Sequence, residues 1–369
     1  MTVPTRGTLS GRRLVTDLQS FGLQIGEQTG GIARKGGAGP SDHKTITIAG
    51  QTVMVPVYTS GARRSPFQAS LPDQSGTSTL LRDGQILGTI HFPTAPRFYG
   101  LSTADGVPYW KIALLHGRDT LATTVHQTCI RYTDRRTSCQ FCAIGQSLEA
   151  DRTIAYKTPV QLAEVAKAAV ELDGVRDMVL TTGTPNVIDR GAAVLAESAR
   201  AIRAAVNLPL QVQCEPPRDH GWFQRLREAG ADSLGMHLEA ATQAVREKIM
   251  PGKATVSVDR YMDAFASAVP IFGRGQVNTY ILAGLGDSAE DILALAERLI
   301  ALGVYPFVVP FVPISGTPLE NHAPPSAEFM KSVLAPLGRM LREANMKSTD
   351  IRAGCGRCGA CSSLSAYEQ

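Results

Sequence analysis

From Thr123 onward, short apolar runs alternate with longer segments whose apolar positions recur every three to four residues, the pattern of strand followed by helix. The runs predict strands at Thr123–Thr128, Val175–Thr181, Leu210–Cys214, Ser233–Glu239, Gln276–Ala283 and Tyr305–Val312. The first intervening helix opens on Thr158-Pro159-Val160-Gln161, a capping box with proline at the first helical position, and continues through Leu162, Val165, Ala169 and Leu172. Further helices are predicted at Gly191–Val206, Gly221–Ala229 (closed by Gly230), Thr242–Met250, Val258–Val269, from Asp287-x-x-Glu290 to Leu302, and at Ser326–Ala344. Successive βα units favour an α/β fold with a parallel sheet carrying helices on its faces, either flat or curled into a partial barrel.

The first hundred residues read differently. They are rich in Gly, Thr, Pro and Arg, with strand-like runs at Thr45–Ile48 and Thr52–Tyr58 and a loop or disordered stretch expected at Gly30–Ser41. The division that follows is a β-rich extension over 1–118, an α/β core over 119–322, and a C-terminal helix with a short Cys-rich tail over 323–369.

Composition narrows the class. The 369 residues are 43% apolar and 19% charged, an ordinary globular balance. Thirty-seven basic against 33 acidic residues leave an excess too small to imply nucleic-acid binding. Met1–Arg13 has no apolar run behind it, and the most apolar helical stretch, Gly191–Val206, is broken by Glu197, Arg200 and Arg203. No leader and no membrane association are expected, and the location expected is cytoplasmic. No GxxxxGK[ST] loop occurs, so ATP is not expected.

Seven cysteines are too few for a disulfide framework, yet six form two tight groups of three. Cys129, Cys139 and Cys142 follow the first core strand, the position at which parallel α/β folds bind ligands. A thiolate trio fits zinc with a His or Asp as fourth ligand, or an iron–sulfur cluster with one iron left open. Cys355, Cys358 and Cys361 lie in Gly354-Cys-Gly-Arg-Cys-Gly-Ala-Cys-Ser, similar to the first three ligands of a ferredoxin site; zinc or a redox tail are the alternatives. Cys214 alternates with Gln213 and Glu215, which reads as a buried thiol between two candidate substrate contacts. In the cysteine loop, Arg131, Arg135 and Arg136 read as a solvated charged segment, and His126 as a core histidine.

The first trio, with Phe141 before its last cysteine, resembles the radical S-adenosylmethionine (radical SAM) enzymes, although nine residues rather than three separate Cys129 from Cys139. Later segments are similar in order: Thr181-Thr-Gly-Thr184 where relatives carry Gly-Gly-Glu, His237 and Glu239 on the ribose-contacting strand, Arg246 in REKIMPGK, Gly284-Leu-Gly-Asp287 after strand five, and Gly316-Thr-Pro-Leu319 after strand six. The core resembles that of biotin synthase. The long loop and the CGRCGACS tail most resemble a radical SAM family encoded beside nitrilase-type enzymes in bacterial nitrile- and cyanide-assimilation clusters.

The resemblance implies a partial (β/α)6 barrel of the TIM type. It also implies a [4Fe–4S] cluster on Cys129, Cys139 and Cys142 that cleaves SAM to a 5′-deoxyadenosyl radical. Thr182, Gly183, Thr184, His237, Glu239, Arg246 and Gly284 become the implied SAM contacts, with hydrogen abstraction from a small substrate near Gln213 and Glu215. A reductant such as flavodoxin or ferredoxin is implied as partner, and an auxiliary iron–sulfur cluster is expected on the C-terminal trio. A non-catalytic iron–sulfur carrier or scaffold is the alternative from another class, and a zinc-dependent barrel hydrolase a third.

Overall fold

The structure, a computed structural model, describes residues 9–26 and 43–369; the stretch Gly30–Ser41 lies outside them. The N-terminal region combines helix α1 (Leu9–Phe21) with strands β1 (Gln24–Ile25), β2 (His43–Ile48), β3 (Gln51–Pro56), β4 (Phe67–Ala69), β5 (Thr77–Arg82) and β6 (Gln85–His91). These form a six-stranded sheet in the order β1-β4-β5-β6-β2-β3, antiparallel except for the β1–β4 pair. Helix α1 has no counterpart in the sequence reading. Val15 and Leu18 bury one of its faces against Val53, Val55 and Phe67 of the sheet.

The core follows. It comprises α2 (Tyr109–Ile112), β7 (Leu114–His116), β8 (Thr120–Thr124), α3 (Ile144–Glu149), α4 (Pro159–Asp173), β9 (Asp177–Thr181), α5 (Ala192–Ala205), β10 (Leu210–Gln213) and α6 (Gly221–Glu228). It continues through β11 (Ser233–Gly235), α7 (Gln243–Ile249), α8 (Pro251–Ala254), α9 (Val258–Phe272), β12 (Val277–Ala283), α10 (Ala289–Leu302) and β13 (Val304–Pro310). The six strands β8 to β13 are parallel and lie in sequential order, with β7 antiparallel at the β8 edge. Because the order never reverses, there is no switch point between two halves; the sheet curls around a central cavity as a partial (β/α)6 barrel.

Local signals act where the sequence places them. Thr158 Oγ1 accepts the Gln161 N–H at 3.2 Å while Gln161 Oε1 accepts the Thr158 N–H at 2.9 Å, and Gly174 closes α4 at φ 65°. Leu162, Val165, Ala166 and Ala169 form the buried stripe that packs α4 on the barrel. Two expectations shift. The first strand ends at Thr124, because the chain beyond it pairs with 155–157 through Gln127 N–H to Ala155 O and Lys157 N–H to Val125 O. Helix α10 opens on a Ser288–Asp291 capping box instead of at Asp287, whose carboxylate accepts the Ala241 and Thr242 N–H groups and so ties the turn before α7.

Helix α11 (Ala327–Glu343) packs against α10 and α1, and the tail that follows it, with α12 (Cys355–Cys358), passes beneath the N-terminal ends of the barrel strands. Gly354 N–H donates to Asp177 at the start of β9 at 2.7 Å, and Arg357 pairs with Asp177 at 3.3 Å and with Asp119 at 3.1 Å. The N-terminal region covers this tail from outside. Met54 N–H donates to Ala360 O at 2.8 Å, Thr16 Oγ1 meets Ser363 Oγ and Tyr367 OH at 3.0 Å each, and Lys331 pairs with Asp17 at 3.2 Å. No helix among the described residues is long and apolar enough to cross a membrane.

Candidate active site between two cysteine groups

The barrel encloses a cavity of about 410 Å³ whose lining includes Cys142 at the upper end, where the strands finish, and Cys355, Cys358 and Cys361 at the lower end, where they begin. Cys142 and the lower trio therefore face one chamber. Thr124, Thr181, Gln213 and Tyr280 lie along its wall between them.

The upper loop is held by its neighbours rather than by repeated structure. Cys142 N–H donates to Cys139 O at 3.0 Å, Gln140 N–H to Ile249 O at 2.9 Å, and Gly252 N–H to Thr137 O at 3.0 Å, which fixes the loop on α7 and α8. Gly183 is required on steric grounds: a Cβ there would meet Thr128 O at 2.1 Å, one residue before Cys129. Burial pushes the Cys142 thiol up to about 11 and Cys139 higher still, so these thiols give up their protons only to a strong cationic partner. Among the described residues, no three His, Cys, Asp or Glu side chains converge as a single-ion site requires.

Arg131, read from sequence as solvated, is instead largely buried and clasps Glu215 with two hydrogen bonds of 2.9 and 2.8 Å. Thr184 Oγ1 donates to the same carboxylate at 2.7 Å. Burial alone would raise the Glu215 pKa, but the Arg131 guanidinium holds it below the usual carboxylate value. Glu215 is thus a brace for the cysteine loop. Arg136 does fit the solvated reading, pairing with Asp134 at the surface at 2.9 Å.

His237 and Glu239 both line the chamber, but not from a regular strand. The ladder breaks after Gly235: Tyr280 N–H donates to His237 Nδ1 at 3.1 Å, and Leu238 N–H to Thr279 Oγ1 at 2.8 Å, before pairing resumes at Glu239. Glu239 takes φ 67°, a left-handed conformation costing a side-chain-bearing residue roughly 1–3 kcal/mol and typical of functional sites. Its carboxylate binds Lys253 Nζ at 2.9 Å. Since Nδ1 of His237 accepts, the ring proton sits on Nε2, which is buried with no partner among the described residues. That N–H awaits an acceptor in the chamber.

Burial pushes the His237 pKa down from 6.5 to about 4, with Glu239 pulling it up and Lys253 pushing it down. Between these values the unfolded chain binds a proton that the folded chain refuses, so His237 costs stability as the pH falls through that window. Denaturation midpoints measured across it should fall more steeply for the wild type than for His237→Gln; equal slopes would overturn this assignment.

The other sequence candidates divide. Thr182 and Gly183 line the chamber. Arg246 does not: it is fully buried, its guanidinium bonded to the carbonyls of Leu238, Val256 and Lys253 and lying 4.9 Å from the Tyr261 ring. Gly284 packs against Pro325, its carbonyl accepting from His322 Nε2 at 2.8 Å. Gln213 reaches the chamber but donates to Cys355 Sγ at 3.1 Å. Cys214 is buried behind the wall, its thiol pushed up to about 12 by burial. His126 is half-buried on Thr128, not in the core. Lys253, Tyr280 and His116 were not read from sequence. Lys253 alone left a signal, as the last residue of REKIMPGK.

Comparison with known proteins bears on this chamber. Residues 134–299 match the family model described as the Radical SAM superfamily. That segment is similar to a radical SAM domain. That family uses a [4Fe–4S] cluster and S-adenosylmethionine. Curated relatives include a bacteriochlorophyllide c C-7(1)-hydroxylase of Chlorobaculum limnaeum, 26% identical over 52% of this chain and 52% of that protein. A dual-specificity RNA methyltransferase RlmN of Solidesulfovibrio magneticus is 31% identical over 37% of this chain and 39% of its own length. A lipoyl synthase of Oceanobacillus iheyensis is 25% identical over 48% and 52%. The chain spans about half or less of the length of these relatives. Among solved structures, methylornithine synthase (PylB) superposes with TM-score 0.49 at 19% identity, covering 67% of this chain and 69% of that one.

Proposed function

We propose that this chain is a radical SAM enzyme that places a small substrate between two iron–sulfur clusters. The observation that carries the reading is the single chamber lined by Cys142 of the first cysteine group and by all three cysteines of the second. Cys129, Cys139 and Cys142 would hold the [4Fe–4S] cluster: three soft thiols carried on one loop, with Cys142 facing a cavity that also holds the orphaned His237 donor, suit a cluster and a polar ligand beside it. When bound and reduced, this group supplies the electron that splits SAM into methionine and a 5′-deoxyadenosyl radical able to abstract hydrogen from a substrate.

The protein's own residues then have distinct tasks. His237 donates its Nε2–H to an acceptor on the bound ligand, and Glu239, charge-balanced by Lys253, accepts from hydroxyls. Thr182 and Gly183 offer backbone and hydroxyl groups beside them. Arg246 and Thr184 act through their neighbours, Arg246 by pinning the carbonyls around Leu238 and Thr184 through Glu215. Gly284 shapes the loop below Pro325.

At the lower end, Cys355, Cys358 and Cys361 would hold a second cluster, with Cys355 accepting hydrogen bonds from Gln213 and Tyr280. The substrate would be a small molecule seated between the clusters, and the reductant a flavodoxin or ferredoxin. A link to nitrile or cyanide metabolism rests on the length of the cysteine loop and the CGRCGACS tail.

Anaerobically reconstituted, dithionite-reduced protein is expected to form 5′-deoxyadenosine from SAM. Cys355→Ala is expected to retain that product, because the upper thiols are untouched. Protein loaded with iron and sulfide that leaves SAM intact would overturn the reading in favour of an electron carrier.

A further inference from the structure

The C-terminal group has three thiols, and a cluster with four iron corners needs a fourth ligand. Across the barrel floor, the turn between β7 and β8 leans on the cysteine segment at three successive points, two of them on the thiols themselves. His116, the last residue of β7, places Nδ1 3.6 Å from Cys358 Sγ and Nε2 3.9 Å from Cys361 Sγ. At Gly117, φ is 59° and a Cβ would stand 2.5 Å from Cys358 Sγ, so only glycine lets the turn approach this closely. Asp119 then pairs with Arg357 at 3.1 Å, between Cys355 and Cys358 in sequence. Residues some 240 positions apart are brought together here by contacts that belong to no strand ladder.

We propose that His116 supplies the fourth protein ligand of the C-terminal cluster, through an imidazole nitrogen. This rests on the reading that the tail holds a cluster. Imidazole is a good iron ligand alongside thiolates, and its neutrality raises the reduction potential relative to a fourth thiolate. The consequence for chemistry is that the lower cluster is closed by protein. It does not present an open iron to substrate; the open coordination site belongs to the upper cluster alone.

The test uses the full chain carrying Cys129→Ala, Cys139→Ala and Cys142→Ala, reconstituted with iron and sulfide in the absence of SAM, so that only the lower site contributes. In the reduced protein, pulsed electron paramagnetic resonance is expected to show a strong nitrogen coupling that changes on [15N]histidine labelling and disappears in His116→Ala. His116→Cys is expected to retain the cluster at a more negative midpoint potential. A cluster present with no histidine nitrogen coupling would overturn the assignment of His116 while sparing the second cluster. Absence of iron and sulfide from the triple variant would overturn both. Should that variant fail to fold, the labelled chain with all its cysteines intact, again without SAM, gives the same readout without altering His116.

Discussion

Cys139→Ala/Cys142→Ala is expected to reduce 5′-deoxyadenosine formation to the uncatalysed background while the protein remains folded. Cys139 and Phe141 pack on a small apolar cluster around Ile249, Met250, Phe311 and Leu319, and alanine keeps most of that contact. The loop is also tied by backbone bonds from Gln140 to Ile249 and from Gly252 to Thr137, which do not involve sulfur. Chemistry should therefore be lost without collapse. Iron and sulfide should fall by the share of one cluster, the remainder staying on Cys355, Cys358 and Cys361. Product assay beside metal analysis checks this; undiminished 5′-deoxyadenosine would sink the assignment of these thiols.

Arg131→Met should be the most destabilising single change considered, by about 3–5 kcal/mol, the usual cost of stranding one member of a buried ion pair. The Arg131 and Glu215 side chains are 11% and 7% exposed, and among the described residues Thr184 would then be the hydrogen-bond donor left on the carboxylate. The double variant Arg131→Met/Glu215→Leu should recover much of the loss, because it removes the uncompensated charge as well. The pH dependence follows from sign. In the wild type the folded-state pKa of Glu215 is depressed, so its contribution is present above the unfolded carboxylate value and lost as the pH falls. Without Arg131 the penalty is for a charged carboxylate, so the gap between variant and wild type should narrow in acid. Urea unfolding at neutral and acid pH measures both effects, and a penalty independent of pH would exclude a charge-based cause.

Of the site, the sequence made legible what depends on near neighbours. Thr158 and Gln161 cap α4 as their spacing requires, because a capping box closes within one turn. The two cysteine groups were evident because the members of each lie in one short stretch of chain. Period-two alternation put His237 and Glu239 on one face, and both do reach the chamber, but through a break in the ladder that alternation does not describe. Arg131 and Arg136 have the same side chain and lie five residues apart, yet one is a buried clasp and the other a surface pair. What separates them is Glu215, which enters from the loop after β10.

By itself, then, the order of residues determined the βα rhythm, the helix caps and the two groups of clustered thiols, each a matter of local hydrogen bonding, periodicity or spacing. Only the tertiary structure decided that the sheet curls so that its two ends share one chamber, that the tail closes the lower end under the N-terminal region, and that His116 meets Cys358 and Cys361. Those relations join residues far apart in the chain, and their free energy comes from burial and charge pairing that exist only once the barrel has closed around them.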